Sequence, residues 1–246
     1  SCRLLTYALN GNADFMGDDI HYASNHDFVG IEFSIHGMLD GRVPLGMPGK
    51  FNADNALAAL AVCTLALSGG SGVLDDNTKQ AILGSLVKVR VDGRMEIAHV
   101  SKKCSVIVDY AHNAVSMESL LTTLRDYHPK RLVCVFGCGG NRARDRRYSM
   151  GEIGGKMADL CIITADNPRF EKNEDIIKDI EVGLAKTDGT YLVIPDRREA
   201  IFYAIRNAEE GDMIAIIGKG HEDYQEIEGV KHHFLDREVV EEAVNG

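Results

Sequence analysis

The sequence lacks any uninterrupted apolar run near the roughly 20 residues that cross a bilayer, and it has no basic start followed by an apolar signal segment. We therefore expect a soluble, cytoplasmic protein with no membrane partner. It also lacks an excess of basic residues, because its formal net charge is -10. An acidic chain neutralises phosphates poorly, so nucleic acid is not an expected partner, and any anionic ligand must be held by a local cluster of cations.

Cysteine is present without the spacing of a metal or redox site. The six cysteines form no C-x-x-C motif. Four of them lie in apolar runs typical of strands or helices, where a free cysteine behaves as a small hydrophobic residue. We predict that all six are reduced core residues in a reducing compartment. The set is Cys2, Cys63, Cys104, Cys134, Cys138 and Cys161.

Histidine and glycine motifs also fall short of established sites. His221 beside Glu222, and the two histidines at 232–233, have no further ligands at zinc spacing, so we predict no metal site from them. The GCGG segment at 137–140 lacks the third glycine of a dinucleotide fingerprint. The GKG segment at 218–220 lacks the upstream glycine and the following Ser or Thr of a phosphate loop. The sequence therefore indicates neither a dehydrogenase nor a complete nucleoside triphosphatase.

The first part of the chain mixes strand and helix patterns. Residues 28–36 alternate apolar and polar side chains, as a half-buried strand does. An Ala- and Leu-rich helix is predicted over about 55–68, with Asn52 or Asp54 as a possible cap, and a second helix over about 76–87. With 246 residues, the chain has room for one large or two ordinary domains.

From residue 104 onward, short apolar runs alternate with amphipathic segments. Wholly apolar strands separated by helices are typical of a parallel sheet that is covered on both faces. We therefore predict an α/β fold with a doubly wound, mostly parallel, Rossmann-like sheet, preceded by a partial α/β domain, with the boundary near 90–96. The predicted strands are 105–110, 132–137, 160–164, 191–195 and 213–218, and the predicted helices are 114–127, 149–158, 173–186 and 197–208.

Polar, charged or glycine residues follow all five predicted strands. In an open parallel sheet, ligands bind beyond the carboxyl ends of the strands. We therefore expect the five strand ends to form one site. The segments are DYAH at 109–112, GCGGNR at 137–142, DNPR at 166–169, DRR at 196–198 and GKGHE at 218–222.

The arginine-rich segment NRARDRRYS at 141–149 contains a possible helix start. Ser149 and Glu152 have the spacing of a capping box, which predicts a helix beginning at Ser149. The arginines just before that point oppose the helix dipole, and a bound anion would resolve the conflict. A solvated arginine-rich loop is the alternative. The arginines are Arg142, Arg144, Arg146 and Arg147.

Seven segments together resemble the carboxyl-terminal part of Mur ligases, and within that family the diaminopimelate-adding UDP-N-acetylmuramoyl-tripeptide synthetases. They occur in family order, and the resemblance covers nearly the whole chain. The segments are GKFNADNALAALA, VDGRME, VDYAHN, FGCGGNRARDRRYSMG, TADNPRFE, DRREAI and GKGHEDYQ.

The resemblance implies an ATP-dependent amide ligase of peptidoglycan biosynthesis. Such an enzyme activates the carboxylate of UDP-MurNAc-L-Ala-D-Glu as an acyl phosphate, which the amino group of meso-diaminopimelate attacks. Residues 1–91 would be the carboxyl-terminal part of the ATP-binding domain, and 92–246 the amino-acid-binding domain. The family's phosphate loop, most of its Mg²⁺ ligands and its UDP-binding domain are expected upstream, so this chain alone is expected to be an inactive monomer.

The same resemblance implies two sets of binding residues and assigns no catalytic residue. Arginines suit a carboxylate and glutamate suits an ammonium group, so the first set is chemically matched to an amino acid. The diaminopimelate residues would be Arg142, Asp166, Asn167, Arg169, Gly218 and Glu222. The ATP residues would be Asn52, Asn55, Arg94, Asp109 and His112.

Arg169 carries the choice of amino acid. In the family, DNPR accompanies diaminopimelate, whose second carboxylate an arginine can hold in a bidentate pair. Lysine would leave that guanidinium unpaired, at a cost of about 2–5 kcal/mol. Asn141 and Tyr148 depart from the residues common in the family at those positions. The alternatives are a lysine-adding ligase, a folylpolyglutamate or cyanophycin synthetase, and a non-catalytic amino-acid-binding module.

Overall fold

The structure, a computed structural model, describes residues 4–25 and 27–246. The chain forms two compact units, Ser1–Arg90 and Val91–Gly246. Cys2, one of the six predicted core cysteines, lies outside the described residues. Among the described helices, none is both long enough and apolar enough to span a bilayer.

Within its described residues, the first unit consists of a four-stranded sheet and two α-helices. The strand order is β1-β2-β3-β4, with β1 and β2 parallel and the other pairs antiparallel. The elements are β1 (Tyr7–Leu9), β2 (Phe15–Ser24), β3 (Val29–Gly37), β4 (Gly41–Leu45), α1 (Phe51–Leu67), α2 (Asp76–Ser85) and a 3-10 turn (Leu86–Lys88).

The alternation of β3 places its apolar side chains in the core of this unit. Ile31, Phe33 and Ile35 are fully buried and pack with α1 residues, including Leu57. The prediction that α1 begins at residue 55 with a cap from Asn52 or Asp54 is wrong, because the helix already begins at Phe51. Asn52 instead lies in its first turn, where its side-chain amide donates to the carbonyl of Pro48 over 2.6 Å.

The second unit contains a six-stranded sheet, a hairpin and five helices. Its elements are β5 (Glu96–Val100), β6 (Cys104–Asp109), α3 (Ala114–Arg125), β7 (Arg131–Phe136), α4 (Arg144–Met157), β8 (Leu160–Ile163), α5 (Asn173–Leu184), β9 (Tyr191–Val193), α6 (Arg197–Arg206), β10 (Asp212–Ile217), β11 (Tyr224–Ile227), β12 (Val230–His233) and α7 (Asp236–Asn245).

The six-stranded sheet has the order β5-β6-β10-β7-β8-β9, and every pair except β5 with β6 is parallel. Helices α6 and α7 pack on one face, where Val135 and Ile162 are buried. Phe136 and Cys161 are the chain neighbours of Val135 and Ile162, and side chains alternate between faces along a strand, so these two point to the opposite face. Gly154 of α4 lies against both of them, so α4 covers that face. The predicted doubly wound α/β fold is confirmed.

Helix α4 begins at Arg144, so the prediction that a capping box starts it at Ser149 is wrong. The hydroxyl of Ser149 donates to the carbonyl of Asp145 within the helix. The earlier start buries Arg147, whose guanidinium donates to Glu171 and Asp179. Those ion pairs stabilise the start of α4, which begins five residues earlier than the capping-box spacing predicts.

The cysteine prediction is confirmed in part. Cys104, Cys134, Cys138 and Cys161 are buried and free. Cys63 is also free, but its side chain is exposed on α1, so its assignment to the core is wrong. It lies on the outer face of a helix whose inner face is formed by Leu60 and Thr64.

Candidate functional site

A cavity of about 320 Å³ lies beyond the carboxyl ends of β6, β7, β8 and β10. Those ends supply the residues that the topology of a parallel sheet predicts for a ligand site. All six residues predicted to bind an amino acid line it. The lining residues are Tyr110, His112, Gly137, Cys138, Gly139, Arg142, Arg146, Asp166, Asn167, Arg169, Gly218 and Glu222.

The fifth strand end, after β9, does not line this cavity, so the prediction that all five ends form one site is wrong. Asp196 caps α6 by accepting the backbone N–H of Glu199. Arg197 is fully buried and donates from two nitrogens to Asp236, at 2.7 and 2.8 Å. Arg198 pairs with Glu242. These side chains stabilise the packing of α6 rather than meeting a ligand there.

The glycines after β7 allow two loops to touch. A Cβ at Gly140 would overlap the carbonyl of Pro168, and one at Gly137 would overlap the carbonyl of Thr164. The N–H of Gly140 donates to the carbonyl of Asn167 over 2.9 Å. These glycines therefore bring the GCGG segment against the DNPR segment, and the Gly140 N–H is not free for a ligand.

The four arginines of the 141–149 segment divide into two pairs. Arg147 is 1% exposed and is neutralised by Glu171 and Asp179, and Arg144 also contacts Asp179 at 3.0 Å. Arg142 and Arg146 line the cavity, and neither has an acidic partner among residues 4–25 and 27–246. The opposition between the arginines and the helix dipole is thus resolved partly by two acids, which leave two cations for the cavity.

A hydrogen-bonded group of side chains joins the ends of β6, β8 and β10. Asn167 donates from Nδ2 to Glu222 Oε2 over 2.8 Å, and the hydroxyl of Tyr110 donates to Glu222 Oε1 over 3.3 Å. The buried ammonium of Lys219 lies 3.6 Å from Glu222 Oε2 and donates to the carbonyl of Tyr224. Burial lowers the pKa of Lys219. The position of Glu222 in the cavity is therefore held from three sides.

Asp166 occupies a buried position beside Gly218. Burial raises the pKa of its carboxyl group, while the cations of Arg197 and Lys219 act in the opposite direction. Its Oδ1 accepts the backbone N–H of Asn167 over 2.5 Å. A Cβ at Gly218 would overlap Oδ2 of Asp166, from which it would lie 2.5 Å away. The φ angle there is 113°, so both sterics and backbone conformation favour glycine.

Arg169 is oriented by two contacts of its guanidinium. Its Nη1 donates to the carbonyl of Gly140 over 2.9 Å, and its Nε lies 3.3 Å from Oε2 of Glu226. Among the described residues, no acceptor lies within hydrogen-bond distance of Nη2. The guanidinium of Arg169 therefore has an acidic neighbour that the sequence did not indicate, and one edge remains for a ligand.

The residues predicted to bind ATP lie in both units. Asp109 ends β6, and its two oxygens accept the N–H groups of Met95 and Ala111, each over 2.7 Å. Burial raises the pKa of Asp109. Arg94 stacks its guanidinium 4.7 Å from the centre of the Tyr110 ring. Asp109 thus holds the 93–95 turn beside the site.

The other three residues predicted to bind ATP differ in how many of their side-chain polar groups already form hydrogen bonds within the protein. His112 is exposed, and its Nδ1 lies 3.0 Å from the carbonyl of Tyr110. In the first unit, Asn55 is exposed and donates to Oδ1 of Asn52 over 3.0 Å. Asn52 is buried with its amide group donating to Pro48, so Asn55 has more capacity left for a ligand.

Five lining residues were not among the predicted binding residues: Tyr110, Gly137, Cys138, Gly139 and Arg146. Four of them lie in strand-end segments that were predicted to form the site, and Arg146 lies in the arginine-rich segment 141–149, so position in the chain was a sufficient signal. Glu226 and Lys219 contact binding residues from outside the lining. Glu226 lies in the β11–β12 hairpin, which has no burial pattern in the sequence.

A family model described as Mur ligase, glutamate ligase domain, matches residues 93–220. The chain belongs to the Mur ligase family. The match begins just before β5 and ends beyond β10, so it contains all four strand ends that line the cavity.

Similar proteins are consistent with this assignment. One relative, the UDP-N-acetylmuramoyl-L-alanyl-D-glutamate–2,6-diaminopimelate ligase of Clostridioides difficile, is 41% identical over 98% of the chain. The ligase of the same name from Aquifex aeolicus is 42% identical over 97% of the chain. A solved structure of a ligase with the same name is 35% identical over 98% of the chain, with a TM-score of 0.72. The chain covers 47%, 45% and 47% of these proteins, respectively, which is less than half of each.

Proposed function

We propose that this chain is the amino-acid-binding part of an ATP-dependent ligase that adds meso-diaminopimelate to UDP-MurNAc-L-Ala-D-Glu in peptidoglycan biosynthesis. The observation that carries the proposal is that Arg142 and Arg146, which form no ion pair among the described residues, line one cavity together with Arg169 and Glu222. Relatives about 40% identical bear the name of that ligase. The location in the cytoplasm and the monomeric state stay predictions.

The cavity offers a partner for each charged group of an amino acid. The ammonium group would bind Glu222, whose carboxylate is oriented by Asn167 and Tyr110. A carboxylate would bind Arg142, and Arg169 would hold the second carboxylate through its Nη edge. Asp166 lies buried beside Gly218, and because Gly218 has no side chain, its position leaves room at that carboxylate for the amino acid. These residues bind and orient the nucleophile, as effective catalysis of amide formation requires.

ATP would supply the phosphoryl group that activates the precursor carboxylate as an acyl phosphate. Arg94 and His112 fit a polyphosphate or ribose, because Arg94 forms no close ion pair in the described part of the chain and His112 is exposed. Asn55 suits the adenine, while Asn52 and Asp109, engaged with backbone groups, would position their neighbours.

The described residues offer no candidate site for magnesium. Residues 4–25 and 27–246 contain no group of three His, Cys, Asp or Glu side chains that could hold a metal ion. We therefore assign no step to Mg²⁺ here. The inactivity of this chain alone stays a prediction.

A ligation assay with the product of the intact gene, ATP and UDP-MurNAc-L-Ala-D-Glu tests the proposal. We expect diaminopimelate to be used with a kcat/KM at least roughly tens of times that of lysine. Arg169→Ala should lower the value for diaminopimelate by about 100-fold and remove most of the preference, because the second carboxylate loses its partner. Arg206→Ala, an exposed arginine outside the cavity, is the matched control and should change neither value.

Equal use of lysine and diaminopimelate by the wild-type protein would contradict the proposed substrate. A lysine-adding ligase is the second candidate, and the contact of Arg169 with Glu226 favours it in one respect. That acid reduces the positive charge that a lysine side chain would meet. If instead no amide forms with any amino acid, a non-catalytic binding module becomes the better description.

A further inference from the structure

Glu226 contacts Arg169 without lining the cavity. Its Oε2 lies 3.3 Å from Arg169 Nε, and both side chains are 21% exposed. A guanidinium binds a carboxylate through either of two edges, and Glu226 occupies the one that contains Nε. Nη1 donates to the carbonyl of Gly140. The Nη1–Nη2 edge is the one left for a ligand, so the acid restricts the direction from which Arg169 can be approached.

The backbone of Glu226 is fixed independently of its side chain. Its N–H donates to Asn167 Oδ1 over 2.8 Å, and its carbonyl accepts the N–H of Arg169 over 3.0 Å. The carbonyl of Arg169 in turn accepts the N–H of Glu228 over 2.7 Å. A change of the Glu226 carboxylate to an amide therefore leaves the hairpin tied to the DNPR segment. The carboxylate itself adds only charge and the Nε contact.

The charge of an acid beside an arginine affects which head groups suit that arginine. An isolated arginine favours a head group with a net negative charge, whereas an arginine paired with an acid is close to neutral. The far end of diaminopimelate has one ammonium and one carboxylate, so its net charge is zero. The far end of 2-aminopimelate has only the carboxylate, and that of lysine only the ammonium.

We propose that Glu226 is a positioning residue that holds Arg169 and neutralises it, so that this end of the cavity accepts a net-neutral, zwitterionic head group in preference to an anionic one. The inference rests on the proposed function, because it assumes that Arg169 meets the far end of the amino acid. It adds a determinant of specificity that acts through Arg169. Glu226 itself is not placed in contact with the substrate.

Titration calorimetry of diaminopimelate, 2-aminopimelate and lysine, with the intact gene product and with this 246-residue chain, tests the inference. In Glu226→Gln, we expect 2-aminopimelate to bind about fivefold more tightly and lysine about fivefold more weakly, as removal of one unit charge at roughly 7 Å in a high dielectric predicts. Diaminopimelate should change by less than about twofold, because the effects on its two charges oppose each other. Glu226→Asp should retain the wild-type order.

Glu228→Gln is the matched control, since Glu228 lies in the same hairpin, is exposed and has no ion pair among the described residues. It should leave all three affinities unchanged. A purely structural role for Glu226 would move the three affinities in the same direction and would overturn the inference, as would no change at all. If the wild-type protein does not prefer diaminopimelate to lysine, the proposed function fails as well, and the inference fails with it.

Discussion

The side-chain amide of Asn167 donates to Oε2 of Glu222 over 2.8 Å, and its carbonyl oxygen accepts the N–H of Glu226 over 2.8 Å. One side chain thus links the end of β8 to the segment after β10 and to the β11–β12 hairpin. Since Asn167 is 2% exposed, neither bond is readily replaced by water. The residue orients the proposed ammonium-binding carboxylate as well as the loop that carries Arg169.

Replacement of Asn167 tests this double role. In Asn167→Ala, Glu222 loses its amide partner and the N–H of Glu226 is left without an acceptor, so diaminopimelate should bind at least about tenfold more weakly. Calorimetry measures the effect. Asn207→Ala, which removes a single exposed side-chain bond to Tyr203 on α6, is the control and should leave the affinity unchanged. Unaltered binding by Asn167→Ala would show that the link is not needed to orient Glu222.

The buried ion pairs of Arg147 predict a large effect on stability. Arg147→Met removes the cation that neutralises Glu171 and Asp179, and loss of one partner of a buried pair costs about 3–5 kcal/mol. Arg144→Met removes a 65% exposed guanidinium from the same Asp179 and should cost less than about 1 kcal/mol. Urea unfolding followed by circular dichroism measures both. Similar losses for the two variants would contradict the assigned difference between the arginines.

The cysteines provide a chemical test of burial. Burial raises the pKa of the Cys138 and Cys161 thiols to about 12, so the reactive thiolate is scarce at neutral pH. In a protein with Cys2 replaced by Ser, native alkylation with iodoacetamide should modify the exposed Cys63 rapidly and leave the buried cysteines unmodified. Mass spectrometry of the peptides reads this out. Rapid modification of Cys138 would show that the end of β7 opens in solution.

The parallel sheet was predictable because its strands are wholly apolar and its helices amphipathic. The position of β10 between β6 and β7 was not, since chain order does not encode which strands pair. The hairpin β11–β12 was missed because its side chains are mostly exposed or half-buried and show no alternation. For that reason, Glu226 was also missed.

The site was predictable by position more than by role. Residues at strand ends come together in any open parallel sheet, so Asn167, Arg169 and Glu222 were expected to share a cavity. Their partners are set by tertiary contacts that no local pattern contains. Arg147 looked like part of an anion site until the structure showed Glu171 and Asp179 beside it.

A crystal structure of the intact gene product bound to meso-diaminopimelate tests the central claim most directly. We predict one carboxylate within about 3 Å of the Nη atoms of Arg169, the other carboxylate at Arg142, and an ammonium group at Glu222. A complex in which the far carboxylate lies elsewhere, while Arg169 keeps Glu226 as its sole anionic partner, would contradict the account.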